Sequence, residues 1–140
     1  MKKNDNKFSL KIPSRTENLS IIREFIINIA KKFGFNDNSI SEIELAVDEA
    51  CANVIKHAYQ FNENKKIDIT VETNGQKLTI IISDRGKGFD PKTIEPAEER
   101  LHKHARSGFG IALIKKVMDE VSFDIHPGSH NEVKMVKYIS

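Results

Sequence analysis

A long apolar stripe in the second quarter of the chain constrains the fold more than any other feature of the sequence. Apolar side chains recur there at the spacing of one helix face: Ile40, Ile43, Val47, Ala50, Val54 and Ala58. The stripe predicts a helix from Ser39 to about Tyr59, with Ser39 and Glu42 as the ends of a capping box. A helix with one continuous apolar face must bury that face against another element of the protein.

A stripe of polar side chains runs beside the apolar one: Glu42, Glu49, Asn53 and His57. Glu49 and Asn53 are four residues apart, so they project the same way with Cβ atoms about 5–6 Å apart. Such a pair is most often a solvated or satisfied helix face. It also suits phosphoryl transfer, because an asparagine oxygen can bind Mg²⁺ and a carboxylate one turn earlier can accept a proton or orient a water.

Alternation and turn residues predict the element order β-α-α-β-β-α-β-β. We expect strands at 8–12, 67–71, 78–83, 122–125 and 132–139. We expect the other two helices from Ser14 to Phe33, opened by a capping box at 14–17 and ended by Gly34, and from Gly108 to about Val121. Asn74-Gly75 and Pro127-Gly128 mark hairpin turns. The length of 140 residues favours a single domain over residues 1–140.

The strand at 78–83 leads directly into Asp84-Arg85-Gly86-Lys87-Gly88-Phe89. Alone, Asp84 is typical of a strand end or a turn. Gly86 and Gly88 strengthen a functional interpretation, because they let the backbone approach a planar ligand closely. Asp84 can then accept a hydrogen bond from an exocyclic amine, which would distinguish adenine from guanine.

The sequence Ser107-Gly108-Phe109-Gly110-Ile111 opens the third predicted helix. Its glycines have a simple explanation as a flexible loop. The functional alternative is that the free N–H groups at the helix start bind phosphate, with Arg106 adding a charge-assisted hydrogen bond. Neither the Walker nor the Rossmann glycine pattern is present. We expect the charged segment at 91–106, between the two glycine loops, to be the moving part.

Composition excludes several other classes of function. The net charge of +2 gives no argument for nucleic acid or an anionic membrane. The longest apolar run, at 78–82, is far shorter than the ~20 residues of a membrane span. Cys51 is the only cysteine, so no internal disulfide can form, and zinc-ligand spacing and a Gly-x-Ser-x-Gly motif are absent. With no apolar stretch behind its polar N-terminus, we expect a cytoplasmic protein without a signal peptide.

Taken together in this order and spacing, the three segments resemble the GHKL superfamily of gyrase, heat-shock chaperone, histidine kinase and mismatch-repair ATPases. Within it, the chain most resembles the small bacterial anti-sigma factors that double as serine protein kinases. Residues 42–53 and 57–59 look like that group's first box, and residues 106–110 and 118–121 look like its last. The similarity runs from Phe8 to Ile139. It implies an α/β fold, the two-layer Bergerat sandwich, with a mixed, mostly antiparallel sheet and helices on one face.

The resemblance also implies a role for each motif residue. Glu49 would be the general base and Asn53 the magnesium ligand, while Asp84 would bind adenine with Gly86 and Gly88 beneath it. The remaining nucleotide-binding residues would be Lys56, Arg106, Ser107, Gly108, Phe109 and Gly110. The cofactors would be ATP and magnesium. The partners would be a small anti-anti-sigma protein of the STAS type, phosphorylated on a serine, a captive sigma factor, and a second copy of the chain in a homodimer.

One departure from the family lies before the last strand. Where the family often has Gly-Thr, this chain has His130 and Asn131, and Asn131 can still form hydrogen bonds. Two other functions stay open. A histidine-kinase catalytic domain would need a phospho-accepting histidine on a dimerisation helix, and the helix predicted at 14–33 has none. A module that senses ATP without transferring phosphate would not need a base at Glu49.

Overall fold

The computed structural model describes residues 5–87 and 109–139. The strands are β1 (Asn6–Pro13), β2 (Lys66–Asn74), β3 (Lys77–Asp84), β4 (Glu120–His126) and β5 (His130–Tyr138). The helices are α1 (Leu19–Phe33), α2 (Asp37–Asn53) and α3 (Phe109–Val117), with a 3₁₀ turn at Thr16–Asn18 and a π-helix at Val54–Ala58. The predicted order of strands and helices is confirmed in these residues.

The five strands form one sheet in the order β1-β2-β3-β5-β4. The resemblance implied a mixed, mostly antiparallel sheet, and all four described pairings are antiparallel. Strand β5 lies between β3 and β4, so the chain passes through α3 to the sheet edge and then returns beside β3. This return places Asn131 at the start of β5 directly opposite Asp84 at the end of β3.

The helices cover one face of the sheet and enclose the core. In the register of the central strands, Ile69 lies opposite Ile82 and Val71 opposite Ile80, and all four are buried. The whole predicted stripe of α2 and its continuation is buried too, as are three residues of α1: Ile22, Ile26 and Ala30. Burying each such isoleucine contributes about 1.5–3 kcal/mol. The α/β two-layer sandwich is therefore confirmed.

Both predicted capping boxes were wrong, although the helices they were meant to open exist. Arg15, not Ser14, precedes the 3₁₀ turn, and the buried Ser14 hydroxyl has no hydrogen-bond partner among the described residues. Helix α2 begins one turn earlier than expected, because Asn36 accepts a hydrogen bond from Ser39 N at 2.9 Å. Asparagine is a strong N-cap, so the earlier of two possible caps is used.

The chain reverses at both predicted turns. The loop of the first turn lies one residue later than Asn74-Gly75, and helix α3 ends earlier than predicted. The first turn has two loop residues between Asn74 and Lys77, and Gly75, with φ of 63°, is the first of them. This is the position that glycine takes in a type II′ turn. Gly128 at the second turn also has a positive φ, 77°. Helix α3 ends at Val117 and not near Val121, because Val121 belongs to β4 and lies opposite Met135 of β5.

The helix that carries Glu49 and Asn53 changes its winding just after Asn53. From Val54 to Ala58 the backbone is a π-helix, closed by the hydrogen bond from Tyr59 N to Val54 O at 2.9 Å. A π-helical turn inside an α-helical run is frequent at functional sites. Here it delivers the Ala58 carbonyl and the Tyr59 ring to the segment that follows β3.

Candidate functional site

Glu49 and Asn53 project the same way, as their spacing predicts, and both face the start of α3. A Cβ added to Gly110 would lie 2.7 Å from Glu49 Oε2 and 3.6 Å from Asn53 Nδ2. A side chain at position 110 would therefore displace the end of the Glu49 side chain, including its carboxylate. Glu49 is half-buried, and its carboxylate forms no hydrogen bond within the described part of the chain, so it can accept one from a ligand.

Asn53 is buried, with 9% of its surface exposed, and its side-chain nitrogen is unpaired in the part of the chain that the structure describes. Its Nδ2 atom is fully buried and has no partner among residues 5–87 and 109–139. A buried polar atom without a partner costs about 1–3 kcal/mol, so an unpaired amide in a native protein calls for an explanation. The simplest explanation is that a bound ligand accepts a hydrogen bond from the Asn53 amide, and this ligand would lie beside α3.

Asp84 is buried at the end of β3, with 3% of its surface exposed. Its Oδ1 atom accepts hydrogen bonds from Gly86 N at 2.8 Å and from Asn131 Nδ2 at 3.0 Å. Burial raises the pKa of Asp84, and these two hydrogen bonds oppose that shift because they stabilise the carboxylate. In the described residues the second oxygen, Oδ2, is left to accept a hydrogen bond from a ligand.

Gly86 is the point at which the segment after β3 meets the π-helix. A Cβ there would lie 2.3 Å from Ala58 O and 2.9 Å from Tyr59 Cδ1, so no side chain fits. Lys87 N donates to Ala58 O at 3.1 Å. The Tyr59 hydroxyl donates to Lys66 O at 2.6 Å and accepts from Arg85 N at 2.9 Å. The glycine was predicted to permit a close approach to a ligand, and the structure adds a close approach to the protein's own backbone.

One small cavity connects the Asp84 loop with the helix that carries Asn53. Its polar side chains include Asn53, Asp84 and Asn131, and its apolar walls are Ala50, Val54, Ile82, Phe123, Ile125 and Val133. A wider cleft lies elsewhere, between α1 and the edge of the sheet, and contains no candidate residue. The cavity has a volume of about 10 Å³, room for about one water, so we interpret it as the floor of a ligand site because it contains buried polar groups with hydrogen-bonding capacity to spare.

The motif residues Gly88, Arg106, Ser107 and Gly108, and the expected moving segment at 91–106, lie outside the described residues, as does the side chain of Phe109. Lys56 is exposed on the π-helix. Next to it, His57 has its pKa lowered by burial and by the charges of Lys56 and Lys87. This shift favours the neutral imidazole and agrees with a structural role for His57.

Sequence reasoning missed the part played by two buried polar residues of β5. Asn131 donates to Asp84 Oδ1 and to Gly86 O, at 3.0 and 2.9 Å. Lys137 donates to Val117 O at 2.6 Å and pairs with Glu42 at 3.2 Å, and so joins the end of α3 to α2. The sequence signal for Lys137 is a lysine in the alternating strand pattern at a position, two residues after Met135, that faces the interior. For Asn131 the departure from the family's Gly-Thr was the only signal.

The residues fit a magnesium ion held largely by nucleotide and water. Among residues 5–87 and 109–139 no group of three or more His, Cys, Asp or Glu side chains could hold a metal. Magnesium at phosphate sites typically takes only one or two ligands from the protein. The amide oxygen of Asn53 is a suitable protein ligand of this kind, while the buried Nδ2 atom, which has no partner in the described residues, is a donor that suits a phosphate oxygen.

No helix in residues 5–87 and 109–139 is both long and apolar enough to cross a bilayer.

Comparison with known proteins gives matches over nearly the whole chain. A family model for the histidine kinase-like ATPase domain matches residues 12–137. The serine-protein kinase RsbW of Bacillus subtilis is 30% identical over 149 residues, which cover 100% of this chain and 90% of the relative. RsbW of Oceanobacillus iheyensis is 32% identical over 143 residues, covering 98% and 89%. RsbW of Staphylococcus aureus is 32% identical over 146 residues, covering 99% and 91%.

Two solved structures share the fold. The RsbU and RsbW domains of a Mycobacterium tuberculosis protein superpose with a TM-score of 0.68 at 12% identity, over 95% of this chain and 32% of that chain. The SiaB–SiaC complex from Pseudomonas aeruginosa superposes with a TM-score of 0.68 at 10% identity, over 92% of this chain and 88% of that chain. At such identities the likeness shows the fold alone. From the family model and the full-length relatives, the chain belongs to the histidine kinase-like ATPases and, among them, to the serine-protein kinases of the RsbW type.

Proposed function

We propose that the protein uses ATP to phosphorylate a serine of a small anti-anti-sigma protein of the STAS type, and that it also sequesters a sigma factor. The observation that carries the proposal is the arrangement of Glu49 and Asn53 against Gly110, beside the cavity that contains Asp84. The full-length relatives named serine-protein kinase support the same reaction.

The adenine base would lie against Asp84 and Gly86. Because Oδ1 of Asp84 already accepts two hydrogen bonds, Oδ2 is the atom that would accept one from the adenine amine. Guanine presents a carbonyl oxygen at that position, and two acceptors facing each other repel. The site would therefore prefer adenine nucleotides.

The phosphates would lie at the start of α3, where the first N–H groups of the helix are unpaired. Because Gly110 has no side chain, the Glu49 carboxylate and the Asn53 amide lie close to this helix start. Arg106, Ser107, Gly108, Phe109 and Gly110 are the residues we assign to this role, with Lys56 and Gly88 as further nucleotide contacts.

Glu49 would act as the general base. Its carboxylate lies at the start of α3, half-buried and without a hydrogen bond in the described residues, so it can accept the proton of the attacking serine hydroxyl. Asn53 would bind magnesium through its amide oxygen. When bound, the ion supplies positive charge that neutralises the phosphate oxygens during transfer.

We further propose that residues 1–140 form a single ATP-binding domain that acts as a cytoplasmic homodimer, without binding nucleic acid or membrane. The near-neutral net charge of +2 supports the absence of nucleic-acid and membrane binding, and the lone buried Cys51 supports a reducing compartment such as the cytoplasm. Light scattering after size-exclusion chromatography would test the dimer, and a mass of 15.9 kDa in the absence of partners would contradict it.

The test of the function is a transfer assay. The chain is incubated with magnesium, ATP labelled at the γ-phosphate, and a small STAS-type protein encoded beside it. We expect label on one serine of the STAS protein, no label with Glu49→Ala, and full label with Glu44→Ala, a control on the same helix. Absence of transfer by the unmodified chain, or equal transfer by the Glu49 variant, would contradict the proposal.

A further inference from the structure

The Asn131 side chain is almost completely inside the protein, with 1% of its surface exposed. Its Nδ2 atom donates to Asp84 Oδ1 at 3.0 Å and to Gly86 O at 2.9 Å. Its Oδ1 atom accepts from His126 N at 3.0 Å. An asparagine amide has two N–H donors, so both are used within the protein and none is left for a ligand.

These three partners determine how the amide is oriented. If the oxygen and nitrogen of the Asn131 amide were exchanged, the oxygen would face two acceptors and the NH₂ group would face the His126 N–H. Both contacts would then be repulsive in a buried environment, where electrostatic interactions are strong. The arrangement is therefore unique, and the hydrogen bond to the Asp84 carboxylate is charge-assisted.

The same hydrogen bonds connect the Asp84 loop to the β4–β5 hairpin. The Gly86 carbonyl accepts from Asn131 and also from Gly128 N, at 2.7 Å. The Asp84 carboxylate can therefore rotate only if a buried donor on β5 loses its partner. Leaving such a donor unpaired costs about 1–3 kcal/mol, which is enough to keep one rotamer dominant.

We infer that Asn131 is a positioning residue that selects adenine indirectly: it holds Oδ1 of Asp84 and leaves Oδ2 directed to the base, without touching the base itself. The inference rests on the proposed function, in which Asp84 accepts from the adenine amine. A threonine at this position, where the family often has Gly-Thr, has a single hydroxyl donor and could hold only one of the two acceptors.

The test compares two nucleotides that differ only in the amine. Magnesium complexes of ATP and of purine riboside triphosphate, which lacks the 6-amino group, are titrated into the unmodified chain and into Asn131→Ala by calorimetry. A hydrogen bond to a charged group corresponds to about 10- to 100-fold in affinity, so the unmodified chain should prefer ATP by that factor. In Asn131→Ala, ATP affinity should fall until the ratio is close to one, while affinity for the other nucleotide stays nearly constant.

The control is Lys134→Ala, an exposed substitution on the same strand, which should keep the full preference for ATP. If Asn131→Ala weakened both nucleotides equally, or kept the preference, the inference would be overturned while the proposed function stood. If the unmodified chain bound both nucleotides equally, the assignment of Asp84 to the amine would fail, and the inference with it. If it bound neither, the proposed function itself would fail.

A second measurement needs no variant, in case Asn131→Ala does not fold. In the unmodified chain, the two amide protons of Asn131 should exchange slowly with solvent by NMR, because both donate to buried acceptors. The exposed side chain of Asn64 is the internal reference. Exchange at Asn131 as fast as at Asn64 would show that the hydrogen bonds to Asp84 and Gly86 are not maintained, and would overturn the inference.

Discussion

Replacing Gly86 with alanine should damage both the stability of the protein and its ATP site. The added Cβ would lie 2.3 Å from Ala58 O, 2.6 Å from Ala58 C and 2.9 Å from Tyr59 Cδ1. An ordinary contact begins at 3.4 Å, so the backbone must separate by about 1.1 Å, the difference between 3.4 and 2.3. Two of these three atoms belong to the backbone of the π-helix, so a side-chain rotation cannot relieve the contact.

A movement of this size would break hydrogen bonds that hold the Asp84 loop. The bonds at risk are Lys87 N to Ala58 O at 3.1 Å, Gly128 N to Gly86 O at 2.7 Å and Asn131 Nδ2 to Gly86 O at 2.9 Å. Overpacking typically costs 1–3 kcal/mol and each lost hydrogen bond about 0.5–1.5 kcal/mol. We therefore expect Gly86→Ala to lower the free energy of unfolding by about 2–4 kcal/mol and ATP affinity by about 10- to 100-fold.

Urea unfolding and ATP calorimetry on the same samples would measure both effects. Gly75→Ala is the matched control, because nothing lies within 4 Å of its added Cβ and its cost comes only from the positive φ of 63°. That cost is about 1–2 kcal/mol, and ATP affinity should not change. A Gly86→Ala protein as stable as the unmodified chain, with the same ATP affinity, would refute the close-packing argument.

Three further predictions concern the chemistry of the site. Glu49→Ala should keep nucleotide binding and lose about 10²–10⁴ in the rate of transfer, whereas Asn53→Ala should also lose magnesium-dependent binding; equal loss of binding in both would contradict their separate roles. Gly110→Ala should slow transfer with little loss of stability, because its Cβ displaces only the end of the Glu49 side chain, and unfolding and transfer measurements would check this. Burial raises the pKa of Asp84, so calorimetry should show ATP binding weakening as pH falls through that raised value. The stability of the protein without nucleotide should depend on pH in the opposite direction. The folded state holds the Asp84 proton more tightly than the unfolded chain, so the free energy of unfolding should fall as pH rises through the same window. Asp84→Asn should abolish the pH dependence of both ATP binding and stability.

Much of the fold followed from periodicity, because burial on a helix or strand repeats locally. The apolar stripe of α2, the alternation of β2 and the strand leading into Asp84 were all predicted and confirmed. Helix ends were less predictable. Asn36 and Ser39 are both good caps three residues apart, and which one is used depends on how α2 packs.

The features that could not be predicted depend on contacts between distant parts of the chain. The π-helix at Val54–Ala58 has no local signal and ends where the segment after β3 meets Ala58 O. The hydrogen bond between Asp84 and Asn131 joins residues 47 apart, and it requires the register of β3 and β5. The pairing of Lys137 with Glu42 likewise needs the whole sandwich.

The central claim is that Asp84, Asn53 and Glu49 belong to one ATP site, and the most direct test is a crystal structure with magnesium and a non-hydrolysable ATP analogue. We predict the adenine amine about 2.7–3.2 Å from Asp84 Oδ2, the Asn53 amide oxygen about 2.0–2.1 Å from magnesium, and the γ-phosphate between Glu49 and the start of α3. Nucleotide bound instead in the cleft lined by Phe8, Ile29 and Phe33, or bound without contact to Asp84 and Asn53, would contradict the claim.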